Sequence, residues 1–300
     1  MLNQKVREKL FNAGYRIVGN HSAIKLCHWT RESLSHNRNC YKRWYAIESH
    51  RCMQMTPALQ CNFNCVFCWR FHGIIPFKEA KWDEPKFILN ECIKAQRELL
   101  TGFSGNPNVS KKKFKEANDP KHVAISLDGE PTFYPILSEL IAECKKRDMT
   151  TFLVTNGSLP ERIKLLKNEP TNFYISLSAP DRETFLKVDK PINKNSWEKL
   201  SQSLELMNSF KCRKVIRITL VKGLNMINVN KYAKLVLKAS PDFIEPKAFM
   251  HVSESQKRLP RESMPEHEDI RKFAEDLSKE TGYIIKDEDR DSRIVLLGKG

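Results

Sequence analysis

The stretch Cys61-Asn62-Phe63-Asn64-Cys65-Val66-Phe67-Cys68 sets three cysteines apart by three and then two residues, with an aromatic directly before the last. Thiolates are the ligands that iron-sulfur clusters require, and three on one tight loop can hold three irons of a cubane. The fourth iron then lacks a local protein ligand. An open position on a metal can bind and activate a substrate, whereas a closed one braces the fold. A zinc knot completed by a distant Cys or His is the competing assignment.

On the N-terminal side, the residues from His50 to Pro57 read as a short strand leading into this loop. Further back, Cys27, Cys40 and Cys52 are separated by twelve and eleven intervening residues. Their neighbours Trp29, Arg31, His36, Arg38, Tyr41, Lys42 and Arg43 are polar, basic and aromatic, which is poor core material. These three cysteines are therefore read as ligands of a second cluster; buried, unrelated thiols are the alternative.

On the C-terminal side, Trp82-Asp83-Glu84-Pro85 looks like a helix start, followed by Phe87, Ile88, Cys92, Ala95 and Leu99 at helical spacing. Cys92 falls on that stripe and is assigned to the core, and Cys144 and Cys212 are read as packing residues. Gly102, Gly105 and Pro107 mark a loop over residues 102–121, which carries the basic run Lys111, Lys112, Lys113 and Lys115, either an exposed helix face or a phosphate contact beside the active site. Strand patterns then alternate with helical ones: Val123-Ala124-Ile125-Ser126-Leu127, a helix over 136–147, Thr151-Phe152-Leu153-Val154-Thr155, a helix near 161–166, and Phe173-Tyr174-Ile175-Ser176-Leu177. A helix over 197–207 precedes Val215-Ile216-Arg217-Ile218-Thr219-Leu220, and one over 232–239 precedes a strand over 243–249. Such alternation implies right-handed crossovers and a parallel sheet, curled into a barrel or a partial one. A helix over 267–279 and a terminal hairpin or cover follow.

In barrels of this kind function collects at the carboxyl ends of the strands. Those ends read Asp128-Gly129-Glu130-Pro131-Thr132, Thr155-Asn156-Gly157, Ser176-Leu177-Ser178-Ala179-Pro180, Lys222-Gly223-Leu224-Asn225 and Glu245-Pro246-Lys247. Gly129 permits close approach of the backbone to a bound molecule, and Glu130 offers a carboxylate to an ammonium group.

The chain has 300 residues with 51 Lys plus Arg against 36 Asp plus Glu, a net charge of +15, which suggests a polyanionic partner, nucleic acid first. A single elaborated domain is favoured, in three parts: an N-terminal extension over 1–52, a core over 53–250 and a cap over 251–300. No apolar run approaches the roughly 20 residues needed to span a bilayer, and the N-terminus does not read as a signal peptide. A cytoplasmic protein is expected, and its nine cysteines are more consistent with metal or redox chemistry than with disulfides.

The three-cysteine loop with its scaffold resembles the radical S-adenosylmethionine (SAM) enzymes. The chain further resembles the archaeal tRNA 4-demethylwyosine synthases of the wybutosine pathway over nearly its whole length. The residues that carry this are Ser49-His50-Arg51-Cys52-Met53-Gln54-Met55-Thr56-Pro57, Phe67-Cys68-Trp69-Arg70, Lys121-His122-Val123-Ala124-Ile125-Ser126-Leu127 with Gly129-Glu130-Pro131-Thr132, Val154-Thr155-Asn156-Gly157 and Met250-His251-Val252.

The resemblance implies an α/β fold: a radical SAM partial (β/α)6 TIM barrel with an N-terminal extension for an auxiliary cluster. It implies a [4Fe-4S] cluster on Cys61, Cys65 and Cys68 that binds SAM, and a second [4Fe-4S] cluster on Cys27, Cys40 and Cys52 able to engage pyruvate. Gly129, Glu130, Thr155, Asn156 and Ser178 would bind SAM. Lys42 stands where the family has a lysine considered for a Schiff base with pyruvate, which makes it either a covalent partner or a charge for the pyruvate carboxylate, with Arg38 and Arg43 able to assist. Asp128 departs from the Gly or small residue that many radical SAM enzymes have there.

The implied reaction condenses pyruvate with N1-methylguanosine, next to the anticodon of phenylalanine tRNA, to give the tricyclic base. Residues 102–121 and 251–261 would grip the anticodon arm. The flavodoxin-like domain of eukaryotic relatives is not seen, so electrons should come from a separate protein of ferredoxin or flavodoxin type, and a monomer is expected. Two readings compete: a radical SAM activase or peptide-modifying enzyme with an auxiliary cluster, and a non-enzymatic zinc-bearing RNA-binding module.

Overall fold

A computed structural model describes residue 2, residues 4–72 and residues 81–300. Two compact units emerge, one made of Met1–Cys61, Gly73–Val154 and Leu165–Thr171, the other of Asn62–His72, Thr155–Lys164 and Asn172–Gly300.

The first unit contains α1 (Gln4–Asn12), β1 (Tyr15–Val18), β2 (Ser22–Lys25), α2 (His28–Ser35), β3 (Cys52–Thr56), α3 (Pro85–Leu100), α4 (Lys111–Ala117), β4 (His122–Ile125), α5 (Leu137–Lys145) and β5 (Thr150–Thr155). β1, β2 and β3 run antiparallel in turn, with Val18 opposite Ser22 across the first turn, whose Gly19 has φ +57. β3, β4 and β5 are then parallel, with Cys52 opposite His122 and His122 opposite Thr150. Every residue of β4 is buried, as expected of a parallel strand covered on both faces.

Pro85 occupies the first turn of α3, where its missing N–H costs nothing. That helix buries Ile88, Leu89, Cys92, Ala95, Gln96 and Leu100. Phe87, expected on the stripe, is exposed instead, because the buried face turns toward Leu89 and Gln96. Residues 102–121 are not wholly a loop: Ser110 accepts a hydrogen bond from the Lys113 N–H and starts α4. Leu26, Leu34, Leu100 and Ala117 form one small core that seats α2.

The second unit contains α6 (Pro160–Ile163), β6 (Asn172–Ser176), α7 (Arg182–Val188), α8 (Ser196–Leu206), β7 (Arg213–Leu220), α9 (Val229–Ala239), β8 (Phe243–Ala248), α10 (His267–Thr281), β9 (Ile284–Asp289) and β10 (Ile294–Gly298). β6, β7 and β8 are parallel, with Arg217 opposite Glu245. The terminal residues form the expected hairpin, and β10 also pairs antiparallel with β8. β10 is buried throughout, whereas β9 exposes Ile284, Lys286 and Asp287. Asp181 caps α7 by accepting from the Thr184 N–H at 3.0 Å, and Gly282, with φ +76, ends α10. Among the described residues no helix is long and apolar enough to cross a membrane.

Candidate active site

In the first unit, Cys27 and Cys40 occupy equivalent places. Each is extended and stands immediately before a helical turn, Cys27 ahead of α2 and Cys40 ahead of the 3-10 turn Tyr41–Tyr45. Helix starts present unsatisfied N–H groups, a favourable place for a thiolate. The Cys40 sulfur accepts from the Lys42 N–H at 3.5 Å. Cys52 opens β3. Two hydroxyls that sequence reasoning did not single out tie these places together: Thr30 Oγ1 donates to the carbonyls of Ser49 and Cys52, and Ser49 Oγ accepts from the Cys40 N–H. Both are buried, as their hydrogen bonds require.

Burial pushes the Cys40 and Cys52 thiols up to about 12, the Cys27 charge adds to this, and the Lys42 ammonium opposes it. The three sulfurs and Lys42 therefore lie within electrostatic reach of one another. Lys42 is buried, and its Nζ sits 4.5 Å from the centre of the Phe152 ring. Tyr41 and Tyr45 are also buried, so this stretch packs more closely than its composition suggested. His122 Nδ1 pairs with Thr150 Oγ1 at 2.7 Å and its Nε2 accepts from the Glu48 N–H; burial chiefly lowers its pKa to about 4, so it is neutral.

Gly129, with φ +66, lies so close to residues 58–60 that an added Cβ would fall 2.0 Å from the Ala58 carbonyl oxygen. The Glu130 N–H donates to the Gln60 carbonyl at 2.7 Å, directly before Cys61. The Glu130 carboxylate is buried and accepts from both the N–H and the hydroxyl of Thr132. Asp128 Oδ1 accepts from the Gly129 N–H, which steadies the same turn.

In the second unit, the loop from Asn62 to His72 is fastened to residues 188–192. Val66 N–H donates to Val188 O, Asn64 N–H to Asp189 O, and Ile192 N–H to Asn62 O. Cys65 Sγ donates to Asp189 Oδ1 at 3.2 Å. Burial raises the Asp189 carboxyl to about 7, against the lowering effect of hydrogen bonds from Cys65 and Ser178. Asp189 was missed in the sequence, since nothing in Val188-Asp189-Lys190 distinguishes it from a surface residue.

Thr155 Oγ1 accepts from the Gly157 N–H, and Asn156 Oδ1 from the Ser158 N–H. Asn156 Nδ2 donates to Asn62 Oδ1 at 3.0 Å, so Asn156 holds the cysteine loop as well as any ligand. Asn225 donates to the Ser178 carbonyl.

Among the basic residues, Lys111 and Lys112 are exposed. Lys113 Nζ instead donates to Ser33 O and Asn37 Oδ1. In the later segment Lys257 and Arg261 are exposed, while Arg258 is turned onto the cysteine loop.

Among the described residues no cysteine is in a disulfide, which leaves both sets available as ligands. Cys92 and Cys144 are buried, as a packing role requires, but Cys212 is only half-buried. Among the described residues no three His, Cys, Asp or Glu side chains stand close enough to hold one metal ion. The thiolates of a cubane bind separate irons and need not stand so close. Two buried cysteines whose backbones are tied by Thr30 and Ser49, with the half-buried Cys27 and a buried lysine beside them, fit such a cluster.

Residues 55–236 match the radical SAM superfamily, and residues 238–299 match the wyosine base formation family. An S-adenosyl-L-methionine-dependent tRNA 4-demethylwyosine synthase of Pyrococcus abyssi is 52% identical over 94% of this chain and 85% of its own. The enzyme of the same name from Methanocaldococcus jannaschii is 41% identical, over 99% and 96%. A solved structure described as TYW1 with a lysine-pyruvate adduct bound superposes with a TM-score of 0.92 at 40% identity, covering 100% of this chain and 97% of that one.

Proposed function

Because this chain belongs to the radical SAM superfamily and, within it, to the tRNA 4-demethylwyosine synthases, we propose that it condenses pyruvate with N1-methylguanosine in phenylalanine tRNA to form 4-demethylwyosine. It is a SAM-dependent iron-sulfur enzyme acting on tRNA, and its α/β fold is that of the radical SAM enzymes. The observation that carries the finer reading is the grouping of Lys42 with Cys27, Cys40 and Cys52, in which Lys42, Cys40 and Cys52 are buried and Cys27 is half-buried.

In this reading Cys61, Cys65 and Cys68 hold the SAM-binding cluster, and Cys27, Cys40 and Cys52 hold the second. The clusters and SAM supply the one-electron chemistry that removes hydrogen from the methyl group; the chain supplies binding and orientation. Gly129 and Glu130 take the SAM amino group, while Thr155, Asn156 and Ser178 shape the rest of its site. Lys42 Nζ attacks the ketone carbon of pyruvate and forms an imine with loss of one water, which requires the amine in its neutral form. The lysine-pyruvate adduct in the solved relative supports this role. Electrons come from a separate ferredoxin- or flavodoxin-type protein, and the chain acts as a cytoplasmic monomer.

Replacing Cys27, Cys40 and Cys52 together by Ala should lower iron in the reconstituted protein from about eight to about four atoms per chain while SAM cleavage persists. Iron and sulfide analysis tests this, and an unchanged iron content would remove the second cluster from the mechanism.

Phosphate contacts position the RNA while a pocket takes the extruded base. Lys111, Lys112 and Lys115, but not the internally bonded Lys113, are exposed on α4 for this. K111A/K112A should weaken tRNA binding and reduce the slope of log affinity against log salt by about 1 per lysine, with SAM cleavage unaffected. Equal affinities at low salt would reject the assignment.

A further inference from the structure

The Arg258 guanidinium is the meeting point of three backbone carbonyls of the cysteine loop. Its Nε reaches Val66 O at 3.4 Å, and its Nη2 reaches Cys68 O and, at 3.2 Å, Arg70 O. A second tie lies beside it, from the Glu254 N–H to Trp69 O. The donor segment is itself well bound: Ser255 Oγ donates to Met250 O and Val252 O, His251 Nε2 pairs with Leu259 O, and Arg258 N–H donates to Ser255 O. Arg258 is thus delivered from a closed bracket rather than from a loose surface loop.

The two sides of this contact fall in different family segments. The cysteine loop lies in the stretch shared with the radical SAM superfamily, residues 55–236, whereas Arg258 lies in the wyosine-specific stretch, residues 238–299. A forked donor suits this place, because its contacts come from two nitrogens fixed in one plane, whereas the three donors of a lysine ammonium radiate from a single atom. The charge has a second effect: adding an electron to a thiolate-bound cluster increases its negative charge, and a permanent, half-buried cation nearby favours that state.

We propose that Arg258 is a positioning residue for the SAM-binding cluster, fixing the loop that presents Cys65 and Cys68 and favouring the reduced cluster through its charge. This inference rests on the reading of those two cysteines as cluster ligands.

The test uses the full chain, reconstituted anaerobically, with R258M and R258K beside wild type and C68A as the control for the ligand reading. The readouts are the midpoint potential of the electron paramagnetic resonance signal that changes on adding SAM, and the rate of iron loss to a chelator. R258M should lose iron at least tenfold faster. At fixed potential its reduced-to-oxidised ratio should fall about tenfold, equivalent to about 59 mV for one electron. R258K keeps the charge but not the fork, so its potential should stay within twofold of wild type on that ratio while iron loss accelerates.

If R258M matches wild type in either readout, the proposal is overturned. Should R258M fail to fold by circular dichroism, R258K decides: unchanged iron loss or a tenfold shift in the ratio overturns it. A C68A protein that retains the SAM-responsive signal would instead show that the ligand reading is at fault.

Discussion

Gly129→Ala should be among the most damaging single-methyl additions possible in this chain. The residue sits at φ +66, where a side chain costs about 1–2 kcal/mol, and the new Cβ would stand 2.0 Å from Ala58 O and 2.7 Å from Gln60 O. Both atoms are backbone, so no side chain can swing aside. Overpacking of this kind adds roughly 1–3 kcal/mol. A combined loss of about 3 kcal/mol corresponds to a fall in Tm of roughly 6–12 °C at about 2–4 °C per kcal/mol.

The displaced atoms immediately precede Cys61, and Gln60 O also receives the Glu130 N–H. Iron uptake and SAM affinity should therefore fall along with stability. Thermal denaturation and iron analysis of the variant check both effects. An unchanged Tm would mean that the close approach is not maintained in solution.

Lys42→Met should abolish tricyclic product, with a loss on the order of 10³-fold or more as expected when a covalent partner is removed, while SAM cleavage continues. Methionine keeps the apolar stem in its buried place against Phe152, so a folding defect is not expected to dominate. The direct check is reduction with cyanoborohydride in the presence of pyruvate, followed by peptide mass spectrometry. Wild type should carry the reduced adduct on Lys42, and the variant should carry none. An adduct on another lysine would move the covalent role elsewhere.

The parts of this molecule that announced themselves in the sequence are those whose chemistry is local. Three cysteines within eight residues need no tertiary information, and the strands β4 and β6 are largely apolar because both faces are covered. The hairpin of β1 and β2 was also accessible, since Tyr15-Arg16-Ile17-Val18 and Ser22-Ala23-Ile24-Lys25 flank Gly19-Asn20, a turn signal. Its strands have only four residues each, too short for an alternation that stands out against the polar stretch that follows.

Other features were hidden for a physical reason. Thr30, Ser49, Asp189 and Arg258 matter through partners at distances of 22, 9, 124 and up to 192 residues along the chain. A hydroxyl or carboxylate carries no local sign of such a partner. The same holds for Lys113: its neighbours mark it as one of a solvated basic run, and only the fold brings Ser33 and Asn37 to its ammonium.

The outer strand β9 has a bearing on self-association. An unpaired strand edge offers a row of free backbone groups to any similar edge, and is a common route to aggregation. Here that edge carries Lys286-Asp287-Glu288-Asp289. Glu288 pairs with Arg271 and Asp289 is buried, which leaves Lys286 and Asp287 hydrated at the border. A second strand could pair there only by stripping water from both charges, so the hairpin does more than cover β8: it sets a wetted margin where a bare one would recruit its own kind.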